Sequence, residues 1–212
     1  MRHEVIHTSS GSTMLQAAGT GLRFSVRRLQ AFDDPAALAL AAACGDARAA
    51  QRLRALQAGW REAREQPAAW RATPHPLLIL DEDATPVLLL PLLLWRAATR
   101  GKRTAPTGIL TLAGLREGAG CAPVLPRPER LKFTALQWRA LWRTVQMKLA
   151  LAEADLLICQ PLPPTGPLTT AELRRLLRRD ALRPCTPLPC RRAVHPLSWR
   201  GWLALLQARL AP

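Results

Sequence analysis

Tyrosine is absent from all 212 residues, and phenylalanine occurs only three times. No phenol can therefore serve as a general acid or base in this chain. Lysine is nearly missing as well: Lys102, Lys132 and Lys148 are the only lysines among 30 basic residues. Long apolar runs are also lacking. The longest, Pro86 to Trp95, is interrupted by Pro91, whereas a membrane-spanning helix needs about 20 apolar residues. Met1 to Thr13 is polar and has no apolar h-region, so no secretory signal is expected. Several catalytic signatures are missing too. There is no G-x-S-x-G elbow, no P-loop, no H-E-x-x-H and no pair of acids on one helix face. These absences lead to the expectation of a soluble cytoplasmic chain without a complete catalytic constellation of its own.

What is present supports a packed core. Hydrophobic residues make up 49% of the chain, enough for burial to offset the entropy of ordering it. The net charge of +15 suits an anionic partner such as nucleic acid, phosphate or a membrane surface. Arginine in place of lysine, with abundant Ala, Leu and Pro, is also the composition that a GC-rich genome produces. That explains the charge more simply than a nucleic-acid function does. The five cysteines, Cys44, Cys121, Cys159, Cys185 and Cys190, are odd in number and scattered. In the absence of an export signal they are read as reduced thiols.

Residues 1–21 show no periodicity and are expected to form a flexible tail. Leu22 to Leu29 alternates partly and predicts a first strand. Asp33-Asp34-Pro35 is a helix start, with an Asp cap followed by proline in the first turn. Gly45 breaks that helix, and Asp46 opens a second one with Leu53, Leu56, Trp60 and Ala63 on one face. Leu77 to Leu80 and Val87 to Trp95 read as a buried hairpin joined by the turn 81–85. Ile109 to Ala113 is a further strand. Phe133 to Leu151 is the clearest helix, with Trp138, Leu141, Trp142, Val145 and Leu149 at helical spacing. Asp155 to Cys159 predicts a strand, and Thr169-x-x-Glu172 is a capping box opening another helix. A proline-rich connector over 184–196 precedes a last helix, Trp199 to Leu210, capped by Ser198. The lobe proper is expected over 22–183. The order of elements predicts an α/β fold: a mixed sheet covered by helices.

Four groups of residues are candidates for chemistry. Gln16, Gly19 and Gly21 form a Q-x-x-G-x-G pattern of the kind that holds the pyrophosphate of acetyl-CoA through backbone amides at a helix N-terminus. That use needs a strand before the pattern and a helix after it. Here the segment that follows is strand-like. Cys185, Cys190 and His195 could ligate zinc, but the C-x4-C-x4-H spacing lacks an evident fourth ligand. A connector holding two thiols accounts for it more simply, so no metal is expected. Asp81, Glu82 and Asp83 are the one acidic cluster and read as a solvated turn. Arg174, Arg175, Arg178 and Arg179 make a basic stripe without interleaved aromatics, which fits a solvated face or an acidic partner better than nucleic acid. The tryptophans at 60, 138, 142, 199 and 202 fall on helical apolar stripes, and core packing is the expectation for all five.

The succession of segments resembles the N-terminal lobe of bacterial GNAT acetyltransferases of the cellulose-biosynthesis type, related more distantly to FemAB aminoacyltransferases. The residues that carry the resemblance are Trp60, Pro76 to Leu80, Pro86 to Leu92, Gly108 to Gly114 and Ala122 to Leu125. Further on they are Leu141-Trp142, Ala154 to Leu157 and Ser198-Trp199. The resemblance implies a mainly antiparallel mixed sheet flanked by helices. It also implies transfer of an acyl group from acetyl-CoA or another acyl-CoA to an amine or hydroxyl of a sugar or lipid precursor. Catalytic groups and the pyrophosphate loop would lie mostly in a second acyltransferase lobe, which this chain would need as a protein partner. Relatives often carry an Asp-Tyr pair where Gly120-Cys121 stands here. With tyrosine absent, activity of the chain alone is not expected. The alternatives are an arginine-rich nucleic-acid-binding module and a structural protein that docks on a partner without catalysis.

Overall fold

The computed structural model describes residues 6–7, 13–16, 23–64, 70–97, 108–113, 125–126, 131–150, 154–159, 173–175 and 194–210. In chain order the strands are β1 (Ile6–His7), β2 (Thr13–Gln16), β3 (Arg23–Arg28), β4 (Trp70–Pro74) and β5 (Leu77–Leu80). They continue with β6 (Pro86–Leu90), β7 (Leu92–Ala97), β8 (Gly108–Leu112), β9 (Leu156–Ile158) and β10 (Val194–Pro196). The helices are α1 (Pro35–Ala43), α2 (Ala47–Arg64), α3 (Ala135–Ala150) and α4 (Trp199–Leu210). Residues 173–175 are also helical. The fold is mixed α/β, with antiparallel and mixed sheets flanked by helices, as the pattern of elements predicts.

The strands form two five-stranded sheets, ordered β1-β2-β3-β5-β6 and β10-β9-β8-β7-β4. Among the described strands only β8 and β9 pair in parallel, with α3 between them in the chain. Proline explains the division into two sheets. β4 gives way to β5 at His75-Pro76, and β6 gives way to β7 at Pro91. Neither proline can donate to a ladder. Their carbonyls still accept: Leu29 N–H donates to Pro76 O at 2.9 Å and Ala113 N–H to Pro91 O at 2.8 Å. His75 N–H bridges the hinge to Leu92 O at 2.8 Å.

Three hydrophobic clusters hold the layers. α3 lies over one face of both sheets, with Leu141, Val145 and Leu149 packed on Val26, Leu77, Leu90, Leu92 and Leu110. On the opposite face α1 and α2 cover the first sheet, packing Phe32, Leu40 and Leu53 on Leu78 and Leu89. α4 covers the second sheet, with Ala204, Leu205 and Ala208 against Trp95, Ile109, Leu156 and Ile158. Leu77 and Leu78 therefore enter different clusters, as alternation along a strand covered on both faces requires.

The local signals act as expected at the helix starts and the hairpin turn. Asp34 caps α1, its Oδ1 accepting from Ala36 N–H at 2.9 Å, and Gly45 ends it at φ +67°. Asp81 Oδ1 accepts from Thr85 N–H at 2.8 Å and Asp83 N–H at 3.1 Å, so the acidic cluster is a hairpin turn. The fold departs from the sequence reading in four places. Residues 6–7 and 13–16 of the expected tail form strands, which the first sheet supplies with a pairing edge. A strand missing from the sequence reading, β4, pairs with β7 in register Thr73↔Leu94. The run from Val87 to Trp95 is two strands because of Pro91. The proline-rich connector ends in a strand, β10, paired with β9 through His195↔Leu157. The capping box at 169–172 lies outside the described residues.

Candidate functional site

Gln16 is the last residue of β2 and the register partner of Arg23 on β3. Gly19 and Gly21 lie outside the described residues. The next described element after the pattern is an antiparallel strand. A pyrophosphate held by backbone amides draws on a helix N-terminus, and the element following Gln16 does not supply one. The fit to acyl-CoA at this position is therefore poor, and no step of chemistry is derived through it. Of the zinc candidates, Cys185 and Cys190 lie outside the described residues. His195 on β10 stacks edge-on against Trp142 at 5.6 Å between centroids.

One polar knot at the edge of the core gathers Asp155, Ser198 and Gly201. Asp155 is buried; its Oδ1 accepts from Ser198 Oγ–H at 2.5 Å and its Oδ2 from Gly108 N–H at 3.4 Å. Ser198 Oγ in turn accepts from Gly201 N–H at 3.3 Å, which caps α4. Leu197 N–H donates to Asp155 O at 2.9 Å, and Asp155 N–H to Gly108 O at 2.8 Å. Ser198 and His195 are near neighbours in sequence and the fold brings the Asp155 carboxylate to Ser198, but the hydroxyl donates to that carboxylate, so no serine nucleophile is paired with a histidine base. The hydroxyl proton points at the carboxylate, and His195 turns toward α3. The knot fastens the start of α4 to the ends of β8 and β9.

The surface of α4 is the strongest candidate for an interaction. Its packed face is built from Gly201, Ala204, Leu205 and Ala208. Trp199, Trp202, Leu206 and Leu210 stand on the other side at i, i+3, i+7 and i+11, and are 65%, 55%, 47% and 81% exposed. Trp199 and Trp202 therefore do not pack in the core, contrary to the expectation from the stripe. Trp60, Trp138 and Trp142 are half-buried against the clusters as expected. Arg200 lies over the Trp199 ring at 5.5 Å, and Arg209 is exposed beside Leu206 and Leu210. Arg174 Nε donates to Ala208 O at 3.2 Å, so this part of the expected basic stripe is turned onto α4. Arg175 is exposed, and Arg178 and Arg179 lie outside the described residues.

No family model, curated protein or solved structure matches the chain. Among the described residues no helix is long and apolar enough to cross a membrane. Functional reading therefore rests on the site itself.

Proposed function

We propose that this chain is a docking lobe of the cytoplasm, which binds a partner protein through the exposed face of α4. The observation that supports the reading is the row Trp199, Trp202, Leu206 and Leu210, four large apolar side chains open to solvent on one helix. A contiguous apolar row of this kind marks an interaction surface, and tryptophan is enriched among the residues that dominate binding energy. The partner is an acidic one. Arg200 and Arg209 flank the row at its two ends. Pairing with a second copy, antiparallel, would set Arg200 of one helix against Arg209 of the other, and parallel pairing would set like against like. Both arrangements repel. An apolar groove rimmed by carboxylates complements the row and both arginines at once.

A synthetic helical peptide with leucines at i, i+3 and i+7 and flanking glutamates is a sufficient probe. We expect it to blue-shift the tryptophan emission of the full chain. Replacing Trp199 and Trp202 by serine should weaken binding at least tenfold while leaving the circular dichroism unchanged. The same peptide with lysine in place of glutamate should not bind. Equal binding of both peptides, or binding indifferent to the two substitutions, would refute the proposal.

The reaction served by the assembled pair, on the resemblance described above, is acyl transfer from acyl-CoA to a sugar or lipid precursor, with the partner as the second lobe. The order of segments and the mixed sheet support this part of the reading. It predicts that acetyl-CoA at millimolar concentration leaves the melting temperature of the chain alone unchanged. A saturable rise would show a complete cofactor site within this chain and remove the need for a second lobe.

A further inference from the structure

We propose that the outer face of α3 lies on an anionic lipid surface, as a peripheral contact separate from α4. Leu136, Arg139, Arg143 and Met147 recur at i, i+3, i+7 and i+11, and all four are exposed. Lys132, just ahead of the helix, is exposed as well. Helical geometry sets the four on one line, with Leu136 and Met147 about 16 Å apart along the axis. They stand on the side away from Leu141, Val145 and Leu149, which pack on both sheets. Among the described helices α3 alone covers this face; α1, α2 and α4 pack on the opposite one. A partner seated on α4 therefore leaves the row open.

Charge selects the partner. From Lys132 to Ala150 the chain has no acidic residue. Among the described residues Lys132, Arg139 and Arg143 pair with no carboxylate. The described acids lie elsewhere: Asp33, Asp34, Asp46 and Glu62 in and around α1 and α2, Asp81, Glu82 and Asp83 in the hairpin turn, and Asp155 buried against Ser198. The α3 face therefore attracts a polyanion. Its apolar members narrow the choice. Leu136 and Met147 are 52% and 44% exposed and bracket the two arginines. A lipid surface rewards both kinds of side chain: headgroup phosphates take the guanidiniums, and the acyl boundary takes the apolar ends. Nucleic acid rewards the arginines alone, and its single-stranded form also calls for stacking aromatics, which the exposed residues of α3 lack. A protein hot spot needs clustered apolar side chains, and here two cations separate them.

The test sediments the full chain with vesicles of phosphatidylcholine, alone or with one quarter phosphatidylglycerol. The expected result is retention by the anionic vesicles only, lost at high salt because exposed charges are screened. Each basic residue near such a surface contributes about fivefold in affinity, so Arg139→Gln/Arg143→Gln should weaken binding about tenfold or more. Leu136→Ser/Met147→Ser, which leaves the charge unchanged, should weaken it about threefold or more. All four side chains are exposed, and circular dichroism of both variants should match the parent. Trp199→Ser/Trp202→Ser should leave vesicle binding unchanged, so failure of the lipid contact and failure of docking on α4 are read separately. No retention by anionic vesicles, or equal retention by neutral ones, would overturn the proposal, as would binding indifferent to both α3 variants. Retention of a DNA oligonucleotide that depends on Arg139 and Arg143, without vesicle binding, would also overturn it and assign the face to nucleic acid.

Discussion

Gly201→Ala is expected to cost about 3 kcal/mol or more of folding stability. The Cβ would stand 2.0 Å from Asp155 O and 2.9 Å from its carbonyl carbon. Both are backbone atoms of the segment entering β9, and Asp155 O already accepts from Leu197 N–H. No side-chain rotation relieves the overlap, so α4 must move away from the sheet. Movement breaks the Gly201–Ser198–Asp155 chain of hydrogen bonds and opens the cluster of Ala204, Leu205 and Ala208. Gly59→Ala in α2 is the matched control. Its Cβ meets nothing within 4 Å, and removing a helix-interior glycine should stabilise by about 0.5–1 kcal/mol. Urea unfolding of the two variants checks both signs. A Gly201→Ala chain as stable as the parent would show that α4 does not seat on Asp155 as described.

The second large effect is a loss of stability on acidification, centred on His75. Its pKa is lowered from 6.5 to about 4, first by burial and then by Arg28, Lys148 and Arg96. Between those two values the unfolded chain binds more protons than the folded one. Stability is therefore fully present above pH 6.5 and falls as pH drops toward 4, in total by about 3 kcal/mol from this group. His75→Gln removes the titration. Urea midpoints of parent and variant at pH 7, 5.5 and 4.5 separate this group from the carboxylates common to both. The parent should lose its margin over the variant as pH falls, and a constant margin would contradict the burial of a neutral imidazole at the hinge.

Much of the fold was legible because its signals are local. The Asp34-Pro35 start of α1, the Asp81 turn and the helical spacing of Leu141, Val145 and Leu149 each act within a few residues. β4 was not legible, since Trp70 to Pro74 is a short mixed run ending in proline that becomes a strand only by pairing with β7. α4 shows a different limit. It carries two apolar stripes, one of Gly201, Ala204, Leu205 and Ala208 and one of Trp199, Trp202, Leu206 and Leu210. Periodicity identifies both and ranks the tryptophans as core. The structure buries the smaller stripe because the helix approaches β9 so closely that only glycine fits against Asp155 O.

The sequence by itself determined the class of the fold, the positions of α1, α2, α3 and α4 and the surplus of arginine. Each is a property of neighbours in the chain, settled by backbone dihedrals, capping and side-chain period. Only the tertiary structure decided which stripe of α4 faces solvent and that Arg28, Arg96 and Lys148 come near enough to His75 to lower its pKa. Those are matters of register and of packing distance between segments tens of residues apart. A strand's period of two says that its side chains alternate, but only its partner in the sheet says which face is covered.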